Sequence, residues 1–238
     1  MIDKIAPSLQ AALADVADGA TVLVGGFGTA GQPNELLAAL IEQGARELTI
    51  VCNNAGNGDE GLAALLAQGR VRKMVCSFPR QADSWHFDRL YRAGRIELEL
   101  VPQGNLAERL RAAGAGIGGF FTPTGYGTEL ARGKETRVID GKGYVLESPI
   151  HGDLALVKAE RGDRWGNLVY RQAARNFGPV MAMAARKTVA TVHEIAGLGE
   201  LDPEAVVTPG IYVSQIVRIA RTATQAGGFK AAAGKENT

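Results

Sequence analysis

Cysteine is scarce in this chain of 238 residues. Cys52 and Cys76 are the only two, and neither belongs to a Cys-x-x-Cys pair or stands beside a His and Cys cluster. Metal-binding and redox readings are set aside on that ground, and each thiol, at the end of an apolar run, reads as a small buried core residue. Long hydrophobic runs are also missing, and Met1 to Pro7 carries no basic segment followed by an apolar core. A membrane partner is therefore not expected, and a cytoplasmic enzyme is. Neither sign of charge dominates: 26 basic residues face 25 acidic ones, for a net charge of +1. No broad field draws nucleic acid or an anionic surface. His86, His151 and His193 have no Ser or Cys elbow near them, which excludes a hydrolytic triad. Trp85 and Trp165 read as core or partner-interface aromatics, with interface favoured for Trp165, and make no platform for stacking a nucleotide.

What the sequence does have is enough apolar material for a sizeable core. Hydrophobic residues make up 46% and charged residues 21%, which excludes disorder as the main state. Apolar periodicity and glycine stops give an alternation of elements. Helix 8–16, with Ser8 as N-cap, leads into strand 21–24, helix 33–43 and strand 48–52. Helix 61–68, strand 71–77, helix 84–92, strand 96–101 and helix 105–113 follow. Strands separated by single helices predict an α/β fold with an open, mainly parallel sheet covered on both faces. From 114 to 143 the pattern becomes an irregular, glycine-rich insert, with 133–137 read as a surface loop or short hairpin. Strands are predicted again at 144–146, 154–158 and 188–192, and a helix at 176–186. Residues 219–238 lose periodicity and read as a mobile tail.

Glycine concentrates where it can matter to a ligand. Thr21 to Val24 is a β-branched and apolar run; Gly25, Gly26, Gly28 and Gly31 follow it, and Pro33 opens the next helix. Glycines there let a ligand approach the backbone, and free N–H groups at a helix start attract phosphate or carboxylate oxygens. A tight turn without a ligand is the plainer alternative. Gly26, Gly28 and Gly31 also match a dinucleotide fingerprint, but the next strand ends in Cys52, Asn53 and Asn54 with no carboxylate to hold a ribose, which weakens a nicotinamide reading. Asn53 and Asn54 follow a strand, where open α/β sheets bind ligands, and offer uncharged donors and acceptors; a turn closed by their side chains is the alternative.

The full run from Asp18 to Pro33 resembles the first signature of the family I CoA-transferases. Val51 to Gly56, Pro102 to Arg109, Thr122 to Gly127, Gly166 to Leu168 and Ala174 to Phe177 continue the resemblance, which covers about residues 5 to 218. It implies a single α-subunit domain over 1–218 that takes CoA from succinyl-CoA and passes it to a 3-oxo acid. It favours 3-oxoadipate as acceptor, with acetoacetate the alternative, and implies no permanently bound cofactor. A glycine-cradle oxidoreductase or metabolite-binding module is the reading from another class. Val24, Gly25, Gly26, Phe27, Gly28, Thr29 and Ala30 are expected to line the CoA or acyl-CoA site, and Asn53 and Asn54 to contact CoA or substrate. Gln103 is expected to donate to the oxyanion, and Arg80 to hold the distal carboxylate of a dicarboxylic acceptor. The family attacks the thioester with a glutamate in a Glu-Asn-Gly run of its β subunit, and this chain has no such run. Glu108 and Glu147 are tempting substitutes but read as surface or ion-pairing residues. A β-subunit partner is therefore expected, in a heterodimer or heterotetramer.

Overall fold

The computed structural model describes residues 2–221. Nine elements alternate through the first half: α1 (Leu9–Leu13), β1 (Thr21–Val24), α2 (Asn34–Gln43), β2 (Leu48–Val51), α3 (Gly61–Ala67), β3 (Val71–Cys76), α4 (Trp85–Arg92), β4 (Glu97–Leu100) and α5 (Gln103–Gly114). Ser8 caps α1 as expected, its Oγ accepting from the Ala11 N–H at 3.0 Å. The second half adds β5 (Phe120–Thr122), β6 (Thr136–Ile139), β7 (Lys142–Glu147), β8 (Gly152–Lys158), β9 (Arg161–Asp163), β10 (Leu168–Val169), α6 (Gly178–Ala184), β11 (Ala185–Val192), β12 (Glu194–Ala196) and β13 (Gln215–Arg218).

Seven strands form one parallel sheet in the order β13-β11-β8-β1-β2-β3-β4. Side chains alternate across it, as the pleat requires. Val22 and Val24 of β1 face a core built with Leu36, Leu40, Leu62, Leu66 and Phe87 of α2, α3 and α4. Leu23, between them, faces a second core with Leu106 and Leu110 of α5 and Met181 of α6. Strand β8 divides in the same way, Leu154 and Leu156 to one face, Ala155 and Val157 to the other. Each fully buried leucine contributes about 1.5–3 kcal/mol, so both faces are needed to hold the sheet.

The two margins of the sheet differ. Residues 4–6 lie along β13, with the Ala6 N–H donating to the Ile216 carbonyl at 2.8 Å and the Ile216 N–H to the Lys4 carbonyl at 2.7 Å. On the other margin β4, among the described residues, pairs with β3 alone and carries Glu97 and Glu99.

The predicted irregular insert is ordered. Strands β5, β7 and β6 make a small antiparallel sheet, and β6 and β7 are joined at Asp140 and Gly141, both with positive φ, 50° and 76°. An Asp-Gly pair in that conformation makes the two-residue turn that matches strand twist. The hairpin therefore turns at 140–141, beyond the 133–137 segment expected to form it. Every residue of β6 is exposed, so it has no buried face to print an alternation on the sequence. Strands β9, β10, β12 and β13 were also not expected; each is two to four residues long. Trp85 and Trp165 are both about half exposed, which removes the core alternative for either. Of the tail expected over 219–238, residues 222–238 lie outside the described residues. Ile219 donates its N–H to the Val192 carbonyl at 2.8 Å, and Arg221 pairs with Glu160.

Candidate active site at the strand ends

All seven strands of the main sheet point their carboxyl ends to one side, and the residues that follow β1, β2, β3 and β4 meet there. Asn53 comes two positions after β2 and is buried. Its carbonyl accepts the Ser77 and Phe78 N–H groups at 3.2 and 3.0 Å, which stitches the end of β2 to the end of β3. Its side-chain Oδ1 accepts from Ser77 Oγ and from Gln103 Nε2, both at 2.7 Å. Gln103 is the first residue of α5, with Pro102 in extended conformation before it. A carboxamide nitrogen carries two protons. Asn53 takes one, and the geometry of that bond sets the direction of the other.

A cavity of about 390 Å³ opens at this point, lined by Phe27, Gly28, Asn53, Ser77, Phe78, Gln81 and Gln103. Every lining side chain is uncharged. The Gln81 side chain accepts from Asn57, and the Gln81 backbone N–H donates to Ser84 Oγ at 3.1 Å, so the loop after β3 is braced. Phe27 and Phe78 are 51% and 54% exposed and form the apolar mouth of the cavity.

The glycine run is a tight turn. Phe27 and Ala30 exchange N–H to carbonyl bonds at 3.0 and 3.1 Å, and Gly28, with φ +59°, has open space where a Cβ would stand. The turn divides the predicted ligand residues. Phe27 and Gly28 wall the Gln103 cavity, while Thr29 and Ala30 line a second one of about 410 Å³. That second cavity lies between the ends of β1 and β8, where the strand order reverses, with Lys158, Arg171 and His193 among its lining. The Lys158 ammonium is held there by Glu35 at 2.9 Å. Val24 lies in the core. Gly25 is pressed against β8 and α6, where a Cβ would stand 3.3 Å from the Leu156 carbonyl oxygen and 3.7 Å from the Gly178 Cα. The Gly25 N–H donates to Leu156 and that of Gly26 to Asn176, at 3.0 and 3.1 Å. Four of the six N–H groups over 25–30 are thus spent inside the protein.

Two predicted side chains stand apart. Asn54 is buried and uses Oδ1 to accept the Gly56 N–H at 3.2 Å, the turn-closing arrangement. Arg80 points to α4, where its Nε meets Asp88 Oδ1 at 2.9 Å, and Asp88 also holds Arg92 at 2.7 Å. Glu147 is buried, contrary to the surface alternative, with Lys134 at 2.8 Å and Asn105 at 3.2 Å. Glu108 is paired with Arg111, which holds its carboxyl below the usual range. Neither glutamate lines the Gln103 cavity. Cys52 and Cys76 are buried and free, and burial pushes their thiols up to about 11 and about 12. Sequence reasoning missed Ser77 and Gln81. The signal for Ser77 was available, since it follows β3 as Asn53 follows β2.

Residues 6–218 match the profile of the family described as Coenzyme A transferase. The chain belongs to that family. It is 64% identical over 223 residues to the A-type subunit of the Pseudomonas putida 3-oxoadipate CoA-transferase, covering 94% of this chain and 96% of the relative. It is 54% identical over 209 residues to the corresponding subunit of a succinyl-CoA:3-ketoacid coenzyme A transferase from Xanthomonas campestris, covering 87% and 86%. Among solved structures, the acyl-CoA transferase apoenzyme of Escherichia coli O157:H7 shares the fold with a TM-score of 0.79 at 23% identity. That match covers 92% of this chain and 47% of the other, so this chain spans about half the length of that protein. Membership of the transferase family displaces the oxidoreductase reading of the glycine run. Among the described residues no helix is long and apolar enough to cross a membrane.

Proposed function

We propose that this chain is the α subunit of a two-subunit CoA-transferase that moves CoA from succinyl-CoA to 3-oxoadipate, and that a β-type partner supplies the attacking glutamate. The observation that carries the reading is the Gln103 cavity. It presents an amide donor oriented by Asn53, yet no carboxylate lines it among the described residues. The apolar mouth formed by Phe27 and Phe78 is where a partner would close over it. The greater identity to the relative named for 3-oxoadipate ranks that acceptor first. Acetoacetate is the second reading, favoured by the uncharged lining of the cavity and by the pairing of Arg80 with Asp88. The assembly is a heterodimer or its two-fold duplicate, placed in the cytoplasm, with CoA thioesters as substrates and no resident cofactor.

In this mechanism the partner's carboxylate attacks the thioester carbon of succinyl-CoA, and the carbonyl electron pair moves onto oxygen. The second Nε2–H of Gln103 donates a hydrogen bond to that oxyanion and keeps its proton. Collapse expels the CoA thiolate and leaves a glutamyl-succinyl anhydride. The thiolate attacks the glutamyl carbonyl, succinate leaves, and CoA is carried as a glutamyl thioester. The acceptor carboxylate then enters by the reverse of these steps. Incubation of the assembled enzyme with succinyl-CoA, followed by borohydride reduction and peptide mapping, should mark a glutamate on the partner and none on this chain. Transfer by the purified chain alone, or a reduced Glu108 or Glu147, would overturn the reading.

A further inference from the structure

We propose that Asn176 is a positioning residue whose carboxamide fixes the glycine turn, and through the turn the wall of the Gln103 cavity; this rests on the transferase reading of that cavity. Asn176 Oδ1 accepts the Gly26 N–H at 3.1 Å and the Phe177 N–H at 2.7 Å. Its Nδ2 donates to the Ala30 carbonyl at 2.9 Å and to the Ala173 carbonyl at 2.8 Å. Two acceptor sites and two donors are all that a carboxamide has, and here all four are used. Two of the bonds reach the stems of the turn, one on the residue before Phe27 and one on Ala30.

The turn needs such a hold. Within the turn its backbone is closed by the Phe27 and Ala30 pair, a Cβ at Gly28 would stand in open space, and Phe27 is half exposed. The segment that carries Asn176 is exposed at Arg171, Gln172, Ala173 and Arg175 and is anchored at its end, where Phe177 and Gly178 are buried. Gln172 is held at φ +49°, a conformation non-glycine residues rarely adopt. The Ala174 carbonyl packs under Gly31 so closely that a Cβ there would collide with it, and Phe177 is buried at the start of α6. Asn176 thus ties both stems of the turn to the buried start of α6. Aspartate at this position would keep the two accepted bonds and set a carboxylate against the Ala30 and Ala173 carbonyls. Alanine would remove all four.

The test uses the chain assembled with its β-type partner, in the Asn176→Asp and Asn176→Ala variants. Two readouts are taken: kcat and KM for succinyl-CoA and the acceptor, and amide hydrogen exchange over residues 26–30. A shift of the wall by about 1 Å costs on the order of a hundredfold in rate. The expected result is a kcat lowered roughly tenfold to a hundredfold with each KM within about threefold of wild type, together with faster exchange at Phe27 and Ala30 in both variants and at Gly26 in Asn176→Ala, where its acceptor is lost. If Asn176→Ala does not assemble, Asn176→Asp, which keeps the Gly26 and Phe177 bonds, carries the test. Unchanged exchange overturns the clamp. Faster exchange with unchanged kcat overturns the positioning role, as does a loss of rate that tracks only the loss of assembled enzyme. A wild-type complex that transfers no CoA overturns the transferase reading, and exchange still decides whether Asn176 holds the turn.

Discussion

Gln103 has one amide proton engaged by Asn53 and one left for a ligand, and this asymmetry defines what replacing it does. Loss of a single oxyanion donor costs about 2.7–4 kcal/mol of transition-state stabilisation. Gln103→Ala should therefore lower kcat by about a hundredfold or more, while the glutamyl thioester still forms on the partner and can be trapped there. A turnover number equal to wild type would remove Gln103 from the reaction. Arg80 poses a different question, because Asp88 engages its Nε at 2.9 Å and has Arg92 as a second partner. Exchange of Asp88 for the distal carboxylate of 3-oxoadipate therefore leaves Asp88 paired. A charge-assisted hydrogen bond contributes about 1.5–3 kcal/mol, so Arg80→Ala should weaken use of 3-oxoadipate roughly tenfold to a hundredfold and spare acetoacetate. Equal losses for both acceptors would assign Arg80 to the fold. Gln103 and Asn53 could be singled out because each stands just past a strand end inside a stretch that resembles the family; without the resemblance Gln103 reads as a loop residue. The bond between them was not legible in the sequence, because they stand fifty positions apart and only the parallel order of β2, β3 and β4 brings them together.

At the scale of elements, the sheet is braced near the site by Glu99 of β4, which pairs with Lys73 of β3 at 2.7 Å and with Arg109 of α5 at 2.9 Å. Burial pushes the Glu99 carboxyl up, but the hydrogen bonds from Lys73 and Arg109 outweigh it and hold the group below its ordinary value of 4.5. A carboxyl depressed in the folded state stabilises that state fully above its unfolded value and loses the contribution as pH falls through the folded one. Glu99→Gln should thus lower Tm at pH 7, and the gap to wild type should close in melts taken well below pH 4.5. A gap that is the same at both pH values would mean that the pair contributes through packing alone. The long elements of the first half could be read from periodicity, since β1, β2 and β3 are apolar and α2, α3 and α4 bury one stripe each. The antiparallel hairpin could not. Its strand β6 is wholly exposed, and its one local sign, Asp140 followed by Gly141, stood outside the segment where a turn was sought.

At the scale of the molecule, the seven-stranded sheet seals its two thiols. Cys52 follows β2 and Cys76 ends β3, both within the core that packs against α2, α3 and α4, and burial raises them to about 11 and about 12. At pH 8 both are neutral and out of reach, so a disulfide reagent should label neither in the native chain and both in denaturant; rapid labelling of the native chain would contradict this burial. The margins of the same sheet bear on how the chain meets other chains. An uncovered edge strand is a template for pairing with any other strand. Here residues 4–6 occupy the outer side of β13, and β4, which among the described residues has no strand on its outer side, carries Glu97 and Glu99. A companion that closes over the carboxyl ends of the strands, as proposed, would meet the chain away from both margins, so that recognition and completion of the chemistry would share one surface.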